Sequence, residues 1–170
     1  MEPILIANLI SLAGCSLMVR VGFLRKKETI LTVQCFQFGL QGLSHLILGG
    51  ISGLISAVIS IIRNLVFFRG TKSLPMKLLF IGIQLLFSIG ALKSGWVEWL
   101  PIFATAILTL YLDTPSERKL KKVLIVTVIF WLIYDLRYLN FTSAAFDVFT
   151  ILSNFIGILM LRKNTKSSDA

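Results

Sequence analysis

Short clusters of basic residues divide the chain into apolar runs of about 20 residues, and this alternation constrains the fold more than any motif. As a helix, a run of that length crosses the hydrocarbon core of a bilayer. "LRKKET" (24–29) and "DTPSERKLKK" (113–122) are too charged to lie in hydrocarbon. "GG" (49–50), "RGTKSLP" (69–75) and "KSGWVEW" (93–99) supply further breaks through glycine, proline and interfacial tryptophan. The pattern predicts an all-α membrane protein with seven helices, over 3–23, 29–48, 51–69, 74–92, 97–113, 119–139 and 141–162. Composition agrees. Of 170 residues, 56% are hydrophobic and 15% charged, and the mean hydropathy of +0.86 exceeds that of soluble domains. Residues 1–163 read as one transmembrane domain, and 164–170 as a disordered polar tail.

The net charge of +9 does not imply a nucleic-acid partner, because the basic residues sit between apolar runs. The expected partner is the lipid bilayer. One side of the membrane collects Arg20, Arg25, Lys26, Lys27, Arg69, Lys72, Lys77, Arg118, Lys119, Lys121, Lys122, Arg162, Lys163 and Lys166. The other holds only Lys93 and Arg137. The positive-inside rule then places the N-terminus outside and the C-terminus in the cytoplasm, which an odd number of spans satisfies. The run from Pro3 to Val19 lacks a basic n-region and reads as a retained helix.

A shift of 90 residues lays "HLILGGISGLISAVISIIRNLVFF" over "DLRYLNFTSAAFDVFTILSNFIGI". His45 falls on Asp135, Ser52 on Thr142, Ser60 on Thr150 and Asn64 on Asn154. The same shift carries the first three helices onto the last three and leaves the fourth as a linker. The expected arrangement is 3+1+3, with repeat one at 3–69, the linker helix at 74–92 and repeat two at 97–162. Because the linker crosses once, the two repeats are parallel, related by an axis along the membrane normal.

The polar residues within the spans follow helical spacing. Gln34, Gln37, Gln41 and His45 lie three and four apart, as do Ser143, Asp147, Thr150 and Asn154. Ser52, Ser56, Ser60 and Asn64 recur every four residues. Lipid offers no hydrogen bonds, so these stripes must face the bundle interior or a hydrated cavity. Close helix packing accounts for the serines. Gln37, Gln41, Asn64, Asp147 and Asn154 are the expected lining of a solute path, with His45 and Asp135 at its outer rim. Arg63 lies deep in the third helix, where it either snorkels towards the inner interface, pairs, or serves the path. Hydrogen-bonding amides suit a neutral polar solute such as a sugar, a nucleoside or a vitamin.

Catalytic signatures are missing from the sequence: it has no P-loop, Rossmann glycine pattern, HExxH or nucleophile elbow. Cys15 and Cys35 have no metal-ligand spacing, and one histidine builds no metal centre. No cofactor and no enzymatic activity are expected. An intramembrane dyad of Ser44 or Ser56 with His45 is the enzyme alternative.

The stretch "FQFGLQGLSHLILGGISGLISAVISIIRNLVFFR" resembles the core of the YgjV-type bacterial inner membrane proteins. His45, Leu48, Gly49, Ser56, Ser60 and Arg63 match its pattern, and Pro101, Thr105 and Asn154 fit the second half. The chain departs from that pattern in placing Asn64 after Arg63. The resemblance covers about residues 5–163 and implies a multi-pass protein of the bacterial inner membrane. The group is also distantly similar to the SWEET, PnuC and PQ-loop transporters, which share the 3+1+3 plan. By that analogy the chain is a transporter or facilitator of a small polar solute, and a homo-oligomer is plausible. The competing expectation is a non-transporting scaffold or accessory protein, whose polar faces serve only to join helices.

Overall fold

The computed structural model describes residues 2–21, 27–68, 73–90, 95–111, 114 and 116–168. These form seven α-helices: α1 (Glu2–Val21), α2 (Lys27–Ile47), α3 (Ile51–Phe67), α4 (Leu74–Ser88), α5 (Trp99–Tyr111), α6 (Glu117–Arg137) and α7 (Phe141–Ser168). No strand occurs among the described residues. A 3-10 turn, Trp96–Glu98, leads into α5, so that helix starts slightly later than the apolar pattern suggests. Pro101 falls in its first turn, where a missing N–H leaves no intrahelical bond unmade. The break expected at Asn140 is present. α7 continues to Ser168, so residues 164–168 extend a helix where a disordered tail is expected. The basic positions at 22–26 and 69–72, Lys93, and residues 169–170 lie outside the described residues.

The helices pack as two triplets, α1–α2–α3 and α5–α6–α7. α4 packs on both α3 and α5. Contacts of α1 with α7 and of α3 with α5 close a seam between the triplets. The turn before α3 and the turn before α7 have the same construction. α2 and α6 have bounds 90 positions apart, as do the starts of α3 and α7. Gly50 N donates to His45 O, and Asn140 N to Asp135 O. Gly49 N donates to Leu46 O, and Leu139 N to Leu136 O. Gly49 (φ 79°) and Leu139 (φ 58°) both take the left-handed conformation. Glycine adopts it freely, whereas leucine is held there against its preference.

The distribution of side chains is inverted relative to a soluble protein. Among the described residues, polar side chains outnumber apolar ones in the buried interior, and large apolar side chains such as Phe36, Leu86 and Phe149 point outward. α7 over Phe141–Met160 is by itself long and apolar enough to cross a membrane. Shorter apolar helices cover Glu2–Leu17, Ile51–Phe67, Leu74–Ser88 and Trp96–Tyr111.

The backbone of α3 meets Tyr134 closely at Gly53. A Cβ there would lie 2.7 Å from Tyr134 Cε1 and 2.8 Å from His45 Cγ. Gly53→Ala is therefore expected to lower the thermal unfolding midpoint in detergent, by overpacking worth about 1–3 kcal/mol. Gly82→Ala on α4, with nothing within 4 Å of the new Cβ, is the control expected to leave the midpoint unchanged or raised.

Candidate functional site

The first turns of α3 and α7 present backbone N–H groups that have no intrahelical acceptor. Side chains from the opposite triplet accept from them. Asn8 on α1 accepts from Thr142 N at 2.9 Å and donates to Leu139 O at 3.0 Å. Glu98 in the 3-10 turn accepts from Ser52 N at 3.3 Å, and its other oxygen accepts from the Tyr138 hydroxyl. The acceptors (8 and 98) and the donors (52 and 142) are each 90 positions apart, so each triplet caps a helix of the other.

One residue further on, the two turns differ. Asn140 Oδ1 accepts from Ser143 N at 3.4 Å, as an N-cap does. At the matching place stands Gly50, and Gly53 N donates instead to the Tyr134 hydroxyl at 2.9 Å. A side chain at Gly50 would collide with that hydroxyl, its Cβ falling 2.5 Å away. Ser52 Oγ also donates to Tyr134, at 3.3 Å.

Beside these caps, His45 of α2 faces Asp135 of α6, Nδ1 to Oδ1 at 3.7 Å. That is too long for a hydrogen bond. His45 stacks on Trp131 at 5.6 Å and meets Tyr134 edge-on at 5.3 Å. His45 is 2% exposed and Asp135 4%. Asp147 of α7 lies close enough to Asp135 for their charges to interact. His45 Nδ1, Asp135 Oδ1 and Asp147 Oδ2 are buried with no hydrogen-bond partner among the described residues.

The surrounding polar side chains are bonded. Gln41 Oε1 accepts from Ser143 Oγ at 3.0 Å, and its Nε2 donates to Cys15 Sγ at 3.4 Å. Ser11 donates to Ser44 at 2.8 Å. Ser44 donates to Ala7 O at 3.0 Å and accepts from Asn140 Nδ2 at 3.3 Å. Ser56, on α3, accepts from Gln84 of α4 at 2.6 Å. Among the described residues, no three His, Cys, Asp or Glu side chains are placed to hold a metal ion.

A second polar cluster lies towards the other end of α3. Arg63 is 1% exposed, so its guanidinium does not snorkel to an interface. It finds acceptors inside instead: Nη1 donates to Thr109 Oγ1 at 3.2 Å, and Nε and Nη2 to Asn64 Oδ1 at 3.3 and 3.1 Å. Asn64 Nδ2 donates to Gln34 at 3.2 Å. A cavity of about 1030 Å³ passes beside this cluster, lined by Leu17, Leu31, Cys35, Phe36, Leu40 and Asn64 among others. It lies within the first triplet, on α1, α2 and α3, and not on the seam.

The sequence-predicted residues thus separate. Gln41, His45, Asp135 and Asp147 come together at the seam, with Gln37 buried two turns below His45 on the same face of α2. Asn64 and Arg63 form the second cluster. Asn154 joins neither, since its Nδ2 donates to Thr150 O of its own helix at 2.8 Å. Sequence reasoning missed Asn8, Glu98, Tyr134 and Asn140. The 90-residue shift pairs Asn8 with Glu98, and that was the available signal.

Residues 5–165 match the Imp-YgjV family, described as bacterial inner membrane protein. The chain belongs to this family, which places it in the bacterial inner membrane. No curated protein and no solved structure matches the chain.

Glu98→Ala strands Ser52 N and the Tyr138 hydroxyl together and is expected to cost about 1–3 kcal/mol. Asn8→Ala is expected to cost about 1 kcal/mol. Because the two caps serve different helices, the losses should add in the double variant, as measured by reversible unfolding in mixed micelles.

Proposed function

We propose that this member of the YgjV-type family carries a small polar solute across the bacterial inner membrane, between two parallel three-helix repeats joined by α4. In this reading all seven helices span the bilayer, with the N-terminus outside and the C-terminus in the cytoplasm. The correspondence of helix bounds, turns and exchanged caps at a spacing of 90 supports the repeat. So does the meeting of His45 with Asp135, since residues at matched positions meet only near an axis relating the two halves.

The observation that carries the transport reading is the set of buried polar atoms at the seam without partners: His45 Nδ1, Asp135 Oδ1 and Asp147 Oδ2. Inside a bilayer such groups are costly, and in membrane proteins they mark solute and ion pathways. They stand next to Gln41, whose amide, now bonded to Ser143 and Cys15, can exchange those bonds for a solute. Bound between the triplets, a solute would replace contacts across the seam, and rocking of one triplet against the other would expose it to either side. His45, Asp135, Asp147 and Gln41 are the residues assigned to binding.

A second reading is favoured by the bonding of Gln34 to Asn64, Gln41 to Ser143 and Gln84 to Ser56. These bonds are the interhelical joints that a non-transporting scaffold or accessory protein would use.

Thermal stabilisation of the purified protein by a panel of polar metabolites separates the two. A ligand at one hundred times its dissociation constant stabilises by about 2.7 kcal/mol. The transport reading expects a sugar, nucleoside or vitamin-like compound to raise the midpoint, with the shift abolished by Gln41→Ala and by Asp147→Asn. No response from any polar metabolite would leave the scaffold reading standing.

A further inference from the structure

We propose that His45, Asp135 and Asp147 form a binding site for a single proton at the seam between the triplets. This deepens the transport reading and rests on it for what the proton drives, but the binding itself is testable without any solute.

The proposal follows from charge and from geometry. His45 of α2 and Asp135 of α6 face each other, buried, across the seam, and Asp147 of α7 lies within range of the Asp135 charge. Each keeps one polar atom without a hydrogen-bond partner. Two carboxylates beside a neutral imidazole would place two negative charges in an apolar setting where unpaired charge is strongly disfavoured. The buried Arg63 is engaged elsewhere, with Thr109 and Asn64. One bound proton leaves a single negative charge, and the two acids no longer repel each other.

The neighbours do not supply a compensating charge. α1 brings Cys15, bonded to Gln41. α6 brings Tyr134, whose hydroxyl is held by Gly53 N and Ser52 Oγ, and Tyr138, which is bonded to Glu98. The 3-10 turn brings Glu98, a further acid. α3 brings Ser52 and Gly53. A metal cation fits poorly, because the unpartnered atoms are few and no ligand set for a metal is present among the described residues. A proton needs only one acceptor. At 3.7 Å, His45 Nδ1 and Asp135 Oδ1 are poised to share one after a small closing movement. The step is simple binding: a proton from water joins a carboxylate oxygen or the imidazole nitrogen, no other bond breaks, and release reverses it.

The same geometry points to coupling. His45 and Asp135 stand on opposite triplets, so a change in their charge alters the attraction across the seam. A proton held between His45 Nδ1 and Asp135 Oδ1 joins the two triplets, so its binding favours the closed arrangement and its release the opening.

The test uses the full chain in lipid nanodiscs, with no solute present. Infrared difference spectra between alkaline and acidic buffer should show a protonated-carboxyl C=O band. Asp135→Asn and Asp147→Asn should each remove or shift it, and His45→Gln should shift its pH midpoint. The unfolding midpoint of wild type should depend on pH, with most of that dependence lost in Asp135→Asn. A carboxyl band identical in wild type and all three variants would overturn the proposal. So would stabilisation of wild type by sodium at constant pH that Asp135→Asn abolishes, which would make the site a metal-cation site. Should an Asn variant fail to fold, His45→Gln decides by the midpoint of the wild-type band. Failure of this experiment leaves the metabolite-panel result untouched, and failure of that panel leaves the proton site untouched.

Discussion

A helix start leaves backbone N–H groups without intrahelical acceptors, and in a membrane protein these need partners. α3 and α7 both start this way at the seam, and each is completed by a side chain from the other triplet: Glu98 for Ser52 N, Asn8 for Thr142 N. The rest of the interior depends on this exchange, because it sets how closely the triplets approach. It brings Tyr134 onto the backbone of α3 at Gly53 and so places His45 between Trp131 and Tyr134, opposite Asp135. A chain with larger residues at Gly50 and Gly53 would have no room for the tyrosine ring.

Within the interior, the carboxylates and the guanidinium are kept apart. Asp135, Asp147 and Glu98 lie on the side of the caps, whereas Arg63 lies towards the far end of α3 with only neutral acceptors. Direct pairing of Arg63 with an aspartate would neutralise both and seal the core. Their separation leaves two polar regions, each capable of holding a complementary charge. The amide and hydroxyl bonds between helices are a different matter, since each satisfies its own groups and mainly fixes helix against helix.

Much of the fold was legible in the sequence. The breaks at Gly49–Gly50 and Asn140 were read from turn residues and from the 90-residue shift, and both hold. The pairing of His45 with Asp135 was visible as a match in that shift, but not as a contact. Asn154 shows the converse failure. It matches Asn64 in sequence, yet it bonds its own helix while Asn64 bonds Gln34 and Arg63. Arg63 was legible as an anomaly but not as a buried donor, because its reach to Thr109 joins positions 46 residues apart. Asn8 and Glu98 were passed over for a similar reason. Near helix ends a single polar residue looks like ordinary interfacial polarity until its partner is known.

The sequence by itself determined which segments are helical, where they break, and that the interior of the bundle must be polar. Those properties follow from local backbone chemistry and from the cost of polar groups in hydrocarbon, both readable along the chain. Only the tertiary structure decided which polar atoms bond one another and which are left over. Gln41 and Asp147 occupy equally polar positions on their stripes, yet the amide is bonded and a carboxylate oxygen is not. That difference depends on distances between helices far apart in the chain, and these are set by packing at Gly50, Gly53 and the exchanged caps.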